Sequence, residues 1–474
     1  MARIPLPFAR QFGARSDLYV SSEELINWWA HKTEVRGKES FVLMQRPGLV
    51  NIETIDVGPH RGSLVHDGVM YVVSNSGVYS VNTSETITLI GSLNTFAGRV
   101  GMSSNGTELI IVDGADGWIY DSLAVTYTQI TDVDFVDAEQ VVFFHGRFVV
   151  IKPSTGEFYI SGLYDGTTWA ALDYANAEVD PDDLIALIVS HEQLWLLGEV
   201  TTQAYLDTGN PLFPYESQPG GTIEWGIAAK WSVAKGDNTV IWLAKTSAGQ
   251  ANVVKATGFS PQVISSAALE EAMADYDILD DAYAFVMKPN ERSLFYVLTF
   301  PSENVTWVYD FTTDLWHQWS SYGVGRFNAA THCYFNNRHY IGSATDGALS
   351  RLDAGVYADN SDPLVRKATT QSYSENQNMV FWKNLEILFE AGNGLAIGQG
   401  SDPQAMLRWS DDSGHTYGNS IWRSIGKIGE YGVRAVWNKL GRSRNRVYEL
   451  TMTDPVRSTV VGVFAEITSA SVTK

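Results

Sequence analysis

The sequence predicts an all-β fold: an irregular β-propeller of six or seven blades, with an N-terminal arm and a C-terminal β-sandwich-like unit. The composition, with 15 Trp, 22 Tyr, 20 Phe and 41 Gly, is typical of strands joined by many turns. Helical patterns are short, and the only two candidates are Ser21–Lys32 and Ala267–Asp275. A strand–turn–strand pattern recurs seven times, at intervals of about 39 to 55 residues.

Each copy of the repeat places two apolar segments on either side of a turn that contains Gly, Asn or Asp. The copies are His66–Asn82, Asn105–Asp121, His145–Ile160, Gln193–Asp207, Asp237–Lys255, Arg292–Asp310 and Asn337–Asp353. Their spacing is that of four-stranded propeller blades. Because the first and last strands of a propeller often share a blade, the seven hairpins are compatible with either six or seven blades.

The pattern divides the chain into four parts. Residues 1–60 are predicted as an N-terminal arm, 61–353 as the propeller, 354–372 as a linker and 373–474 as a second β domain. Between the fifth and sixth hairpins, Ser260–Asp281 is predicted as an acidic, partly helical insertion. The strands predicted for the second domain are Phe381–Ala391, Ala405–Trp409, Val433–Asn438, Val447–Thr453 and Val460–Ile467.

In the arm, Ser21–Lys32 is predicted as a short amphipathic helix with Ser21 or Ser22 as its N-cap. It carries the pair Trp28–Trp29. These side chains either anchor the arm to a partner chain or attach it to its own disc, and the second role is the more common one.

One motif in the second domain fits the pattern S-x-D-x-G-x-T-aromatic of an Asp-box: Ser410, Asp412, Gly414, Thr416 and Tyr417. The Asp carboxylate can accept hydrogen bonds from turn amides, the Gly can take a positive φ, and the aromatic ring can enter the core. Such boxes lie away from catalytic centres in the enzymes that carry them. The motif therefore indicates a β-hairpin turn.

The net charge of −21 argues against general binding of nucleic acid, which requires a basic surface. This charge is compatible with a surface along which DNA moves without binding. It is equally compatible with a contribution to solubility alone. The densest basic run contains Arg434, Lys439, Arg442 and Arg444. These residues could face DNA phosphates, or pair with an acidic neighbouring subunit, which is the preferred interpretation in so acidic a chain.

No catalytic, cofactor-binding or metal-binding residue is predicted. The acidic clusters at 132–137, 180–183 and 275–281 do not match a calcium loop, and the nine histidines lack zinc-site spacing. His66, His145 and His191 stand near hairpin starts and are predicted to have a repeated structural role at blade edges. Nucleophile-elbow and phosphate-loop motifs are absent from the sequence.

The single cysteine, Cys333, excludes an intrachain disulfide framework and is predicted to be buried. No 18-residue apolar run predicts a membrane span, and the first residues lack the apolar core of a secretion signal. Synthesis and folding in a reducing cytoplasm are therefore expected.

Several stretches together resemble the packaged DNA stabilisation family of short-tailed bacteriophages, whose members are tail accessory proteins of the hub or nozzle. The resembling segments are Phe158–Glu178, Leu194–Pro214, Thr306–Trp319, the run from Gly400 (GSDPQAMLRWSDDSGHTY) and Ile425–Asp454. Less specific similarity lies in INWW and QRPGL near the start.

The resemblance implies a structural, non-enzymatic protein of the virion tail, synthesised in a host bacterial cytoplasm. It also implies that the arm, residues 1–60, contacts an adaptor. It implies a homo-hexameric ring that extends the channel of the portal and its adaptor, helps to retain the packaged genome and lets it pass at ejection. The implied partners are the portal-adaptor protein above and a tail needle, spike, plug or fibre protein below. DNA is expected to pass without sequence-specific binding, along a wall of net negative or mixed charge, and the host envelope is expected to be reached only through other tail parts.

Two other interpretations stay open at the level of sequence. One is a glycan-binding or glycan-cleaving propeller of the virion tail, motivated by the Asp-box and the many aromatic residues. It would require converging arginines or carboxylates at the centre of the disc. The other is a cellular propeller that scaffolds protein complexes.

Overall fold

The computed structural model describes residues 2–18, 21–33, 41–177, 182–246, 249–290 and 292–469. Within these ranges the chain is almost entirely β-structure with one α-helix, Ala267–Asp275. Seven antiparallel blades form a propeller, and a β-sandwich packs beside it. The all-β propeller with a C-terminal sandwich predicted from the sequence is confirmed.

Blades 1 to 4 are regular four-stranded meanders, each ordered from the innermost to the outermost strand. Blade 1 contains His60–His66, Val69–Ser74, Gly77–Val81 and Ile87–Ser92. Blade 2 contains Gly101–Ser104, Glu108–Val112, Gly117–Asp121 and Thr126–Gln129. Blade 3 contains Val141–Phe144, Arg147–Ile151, Glu157–Gly162 and Asp165–Asn176. Blade 4 contains Leu184–Ser190, Gln193–Gly198, Thr202–Asp207 and Tyr215–Ile223.

Blades 5 to 7 depart from this plan in distinct ways. The innermost position of blade 5 is split between two short strands, so it contains Gly226–Ile227, Ala234–Gly236, Thr239–Lys245, Ala251–Thr257 and Ser260–Val263. Blade 6 contains Tyr283–Met287, Phe295–Phe300, Val305–Asp310 and Leu315–Trp319. Blade 7 contains Thr331–Phe335, Arg338–Gly342 and Ala348–Asp353, and its outermost strand is Gly48–Thr54 from the start of the chain.

The shared seventh blade closes the ring. Gly48–Thr54 pairs antiparallel with Ala348–Asp353, and the chain then continues into blade 1. These residues were predicted as part of the arm, and the structure places them in the propeller. The seven predicted hairpins are confirmed as the two middle strands of the seven blades, where apolar side chains pack between neighbouring sheets.

The sandwich combines both ends of the chain. Its first sheet contains Ala2–Pro5, Trp28–Lys32, Phe41–Gln45, Val380–Phe389, Ala435–Asn438, Arg442–Ser443 and Val460–Ser469. Its second sheet contains Leu25–Ile26, Arg366–Thr369, Tyr373–Ser374, Gln404–Ser410, Ile421–Ser424 and Asn445–Met452. Two short strands, Ala358–Asp359 and Asp362–Pro363, extend blade 7. All five strands predicted for the second domain are present.

The second sandwich sheet is continuous with blade 6. Leu25–Ile26 bridges the two, because Ile26 pairs in parallel with Gln318 of blade 6 while Leu25–Ile26 pairs antiparallel with Arg366–Thr369. The segment 366–369, predicted as linker, is thus a sheet strand. Backbone pairing therefore runs without a break from the propeller into the sandwich at this seam.

The helix predicted at Ser21–Lys32 is wrong. Asn27 has a positive φ of 56°, and the residues on either side of it form two strands. The pattern misled because the strand from Trp28 is buried on both faces, so its apolar residues do not alternate with polar ones. The helix at Ala267–Asp275 is confirmed, with Ser266 as N-cap accepting from the amide of Leu269.

Candidate functional site

The axial opening of the propeller is crossed by one arginine. Arg99 lies just before the innermost strand of blade 2, and its guanidinium donates to the backbone oxygen of Ala330, beside blade 7, at 2.8 Å. It also lies over the ring of Tyr283 of blade 6 at 4.4 Å, and over Trp231, beside blade 5, at 5.6 Å. A side chain that starts at blade 2 and ends among blades 5 to 7 spans the axis.

Two further side chains reinforce this closure. Gln140, before blade 3, donates to the backbone oxygen of Lys230 at 2.9 Å and accepts from the amide of Leu187 in blade 4 at 3.0 Å. The hydroxyl of Tyr283 donates to the backbone oxygen of Ala329 at 2.9 Å. Burial lowers the pKa of Arg99 and raises that of Tyr283. The propeller is therefore held shut at the end where its inner strands begin.

Three histidines join neighbouring blades, as predicted for His66, His145 and His191. His66 Nδ1 lies 2.7 Å from Ser104 Oγ of blade 2, and His145 Nδ1 lies 3.4 Å from Asp207 of blade 4. His191 Nε2 lies 2.8 Å from Asn238 Oδ1, in the next blade. Each histidine stands at the end of the innermost strand of its blade, so the repeated role is contact across a blade boundary.

Glu85 of blade 1 reinforces the ring closure to blade 7. Its Oε1 accepts from Arg338 at 2.9 Å, from Arg351 at 2.8 Å and from the hydroxyl of Tyr340 at 2.8 Å. These donors lower the pKa of Glu85 against the opposing effect of burial. The carboxylate thus ties the first blade to the one that both ends of the propeller share.

A buried arginine holds the propeller against the arm and the sandwich. Arg46 is 0% exposed, and its side chain forms an ion pair with Asp359. Its remaining N–H groups donate to Asn27 Oδ1 at 2.9 Å and to the backbone oxygens of Pro47 and Ser320 at 3.1 and 3.0 Å. All five donors are used, which is the condition under which a buried charge is tolerated.

Arg366 holds a second junction, within the sandwich. Its guanidinium donates to Gln45 Oε1 at 2.7 Å, to Val456 O at 2.8 Å and to Ser458 Oγ at 2.9 Å, and it also donates to Asp454 O. Burial lowers its pKa to about 9. Neither Arg46 nor Arg366 was identified from the sequence, because each lies alone in an ordinary stretch and its partners lie tens to hundreds of residues away.

Trp28 and Trp29 attach the arm to the chain's own core. Trp28, 0% exposed, belongs to the sandwich core and donates from Nε1 to Ser458 O at 3.2 Å. Trp29, 2% exposed, packs edge-on to Phe295 of blade 6 at 5.3 Å. One strand thus places alternate residues in the two domains, and this burial corresponds to the second of the two predicted roles, attachment of the arm to its own chain.

The Asp-box-like turn has the predicted hydrogen bonds. Asp412 accepts from the amide of Thr416 at 2.8 Å and from the hydroxyls of Ser410 and Thr416, which lower its pKa to about 2. Gly414 has a φ of +103°, and its amide donates to Ser410 Oγ at 2.8 Å. Tyr417 is the exception, because it is half-buried beneath the guanidinium of Arg408 at 4.7 Å instead of entering the core.

The candidate interface residues Arg434, Lys439, Arg442 and Arg444 are all exposed on one edge of the sandwich. Arg434 is bound within the chain, at 3.2 Å from Glu386. The other three form no ion pair with a described residue. They stay candidates for contact with a partner.

Within the described ranges, no group of three or more His, Cys, Asp or Glu side chains could hold a metal ion. No helix in the part of the chain that the structure describes is long and apolar enough to cross a membrane. Cys333 is buried, as predicted, and burial raises its pKa to about 12.

Comparison with known proteins gives two family matches, which together span almost the whole chain. Residues 6–357 match the family model described as bacteriophage P22 Gp10, beta-propeller. Residues 366–468 match the model described as bacteriophage P22 Gp10, beta-sandwich. No curated protein matches by sequence.

Solved structures resemble the chain only distantly. The N-terminal domain of Nup159 is 10% identical, with a TM-score of 0.42, and the match covers 70% of this chain and 99% of that one. A chain of the mitotic checkpoint complex is 10% identical, with a TM-score of 0.41, covering 68% and 95%. The extracellular domain of BT4673 from B. thetaiotaomicron is 9% identical, with a TM-score of 0.44, covering 91% and 62%.

The order of the two matched models along the chain is the order of the two structural units, and the boundary between the models falls at 357–366, after the last propeller strand. The predicted family is thereby confirmed on both units. The chain belongs to the bacteriophage P22 Gp10 family of structural tail proteins of short-tailed phages.

Proposed function

We propose that this protein forms a ring at the hub or nozzle of a phage tail, around the path that the genome takes from the portal and its adaptor. In this role it helps to retain the packaged DNA and lets it pass at ejection. Six copies of the chain would form the ring, with the adaptor above and a needle, spike, plug or fibre protein below.

The observation that supports this proposal most is the pairing of a closed propeller with a whole-chain family match. Arg99 crosses the axial opening, and Gln140 links blades 3 to 5 at the same end, so the propeller itself offers no passage for DNA. A DNA path would then lie between copies of the chain, and the propeller would form part of its wall.

The charge of the chain supports a wall that does not hold DNA. With a net charge of −21, phosphate groups near the surface are repelled over about one Debye length, roughly 8 Å at physiological ionic strength. We infer that retention comes from a physical plug below the ring. Neighbouring copies would meet through heterologous interfaces, because rotation about an axis other than a two-fold requires them.

Immunogold electron microscopy of virions tests the proposal. Antibody against this chain should label one tail vertex below the portal. Label spread over peripheral fibres or spikes would favour a glycan-binding or glycan-cleaving role, and absence of label from virions would contradict a tail function altogether.

A further inference from the structure

One edge of the sandwich combines exposed aromatic residues with unpaired positive charge. Residues 423–446 contain seven Arg or Lys residues and one Glu. Arg434 and Arg446 pair with Glu386 and Asp411. The remaining basic residues form no ion pair with a described residue, and we call this surface the basic edge: Arg423, Lys427, Lys439, Arg442 and Arg444.

The basic edge has a fixed shape. The edge strands of the two sandwich sheets are held together there, because Arg423 Nε donates to Val436 O at 3.0 Å and Trp437 Nε1 donates to Ile421 O at 2.8 Å. Around these contacts Trp422 is 54% exposed and Tyr431 79% exposed. Exposed Trp, Tyr and Arg on a rigid edge are the residue types that dominate protein interfaces.

A second surface has the opposite charge. Residues 266–281 contain six acidic residues and no basic ones. Three of them, Asp275, Asp277 and Asp280, are exposed beside Ile278, which is itself exposed. We call this surface the acidic ledge. Nearby, Glu303 accepts from the amides of Asp277 and Ile278, which fixes the backbone of the ledge and adds a further negative charge.

The two surfaces lie at opposite ends of one sheet. The acidic ledge leads directly into Tyr283–Met287, the first strand of the continuous sheet, and the basic edge includes Ile421–Ser424, its last strand. Nine strands lie along this path, which corresponds to about 38 Å at the usual spacing of strands. A single rigid sheet thus separates a basic, aromatic surface from an acidic one.

We propose that the basic edge of one copy docks onto the acidic ledge of a second copy. The interface joins two different surfaces of the same chain, so it is heterologous, and its repetition by rotation produces a ring. This deepens the proposed function, on which it rests, by assigning surfaces to the contact between copies. Both surfaces supply apolar side chains and opposite charge, the combination that gives specificity and fast association.

DNA is the other ligand that a basic edge could bind. It would account for the positive charge, but it would leave the acidic ledge and its exposed Ile278 without a role. Long-range repulsion by a chain of net charge −21 also opposes it. The second copy accounts for both surfaces.

Cysteine crosslinking tests the contact in the full chain, since its one native cysteine, Cys333, is buried. Exposed Asn438 on the basic edge and exposed Ala274 on the acidic ledge are replaced together, as Asn438→Cys with Ala274→Cys, and treated with a short bis-maleimide. The expected result is a ladder of covalent oligomers, in concentrated purified protein or in phage particles. The matched control, Thr126→Cys with Ala274→Cys, uses an exposed blade 2 position and should give no ladder.

Charge reversal in the crosslinking variant then tests the pairing itself. Arg442→Glu/Arg444→Glu should lower the crosslinked yield at least tenfold, and adding Asp277→Arg/Asp280→Arg in the same chain should restore it. Lys235→Glu/Lys288→Glu changes the net charge equally at exposed propeller positions and should have no effect.

No ladder in either preparation, or a ladder that charge reversal leaves unchanged, would overturn the proposal. Sedimentation with duplex DNA that depends on Arg442 and Arg444, without a ladder, would assign the basic edge to DNA instead. Immunogold labelling decides the tail location independently. If the label places the chain in the tail but no crosslinks form, only this interface is contradicted. If a ladder forms but virions carry no label, only the proposed function is contradicted.

Discussion

Replacing Arg46 with Met tests whether the junction of propeller and sandwich depends on the buried ion pair. Arg46 is 0% exposed and Asp359 is 6% exposed, so the substitution leaves a carboxylate in a site that water does not reach. It also removes the donors to Asn27 and Ser320. Removing one partner of a buried ion pair costs about 3–5 kcal/mol.

This cost converts to a modest thermal shift because the chain is long. An unfolding entropy of about 2.1 cal/mol/K per residue gives roughly 1 kcal/mol/K for 474 residues. We therefore expect Arg46→Met to lower the melting temperature by about 3–5 °C if the chain unfolds as one unit. Urea unfolding followed by tryptophan fluorescence measures the free energy of unfolding more directly. The change in free energy is the shift in the urea midpoint multiplied by the m-value, which is large for a long chain.

Two control variants separate the buried charge from other effects. Arg46→Met with Asp359→Asn removes both charges and should recover at least half of the loss, about 2 kcal/mol. Arg3→Met removes an exposed arginine that lies 3.3 Å from Glu386, and because Glu386 keeps its ion pair with Arg434 at 3.2 Å, the substitution should cost under about 1 kcal/mol. A loss for Arg46→Met within 1 kcal/mol of wild type, or a double variant no better than the single, would refute the reasoning.

Three further predictions concern single groups. The pKa of Asp412 is about 2 in the fold, below its ordinary value, so the stability that its carboxylate contributes is present above about pH 4 and lost as the pH falls towards 2. Asp412→Asn should abolish that part of the pH dependence of the urea midpoint. An acid profile that the substitution leaves unchanged would contradict this prediction. Burial lowers the pKa of His317 to about 3, so wild type should lose stability as the pH falls below 6.5, and His317→Phe should reduce the loss between pH 7 and 4.5 by roughly 2–3 kcal/mol. An equal loss in that variant would show that His317 does not contribute. Cys333 should resist Ellman's reagent in the native protein and react once in urea, and rapid native labelling would show that blade 7 opens locally.

The repeat carried most of the information that made the propeller predictable. Each hairpin is local: two apolar strands and a turn lie within about 20 residues, so pattern alone locates them. The Asp-box-like turn was predictable for the same reason, since all the hydrogen bonds of Asp412 remain within residues 410–416. Interactions confined to a few neighbouring residues can therefore be predicted from the local sequence.

The features that join the parts were not predictable in this way. Gly48–Thr54 lies within the segment predicted as the arm, and the strand with which it pairs lies some 300 residues later in the sequence. Arg99 and Arg46 act through backbone oxygens and rings that only the closed ring brings near. The helix predicted at Ser21–Lys32 failed because burial on both faces of the strand at Trp28 removes the alternation by which strands are recognised.

The closed axis and the continuous sheet have a joint consequence for how the proposed ring would work. Because Arg99 crosses the axis of the propeller, the propeller can form a wall of that ring but not its pore, and a change that admits DNA would then occur between copies. The seam at Ile26, reinforced by Arg46 and by Trp28 and Trp29 in the two cores, leaves little freedom between propeller and sandwich within a copy. Motion during ejection would then be a displacement of whole subunits at the interfaces between them. Because the charges at those interfaces are exposed, such motion should depend on the ionic strength of the medium.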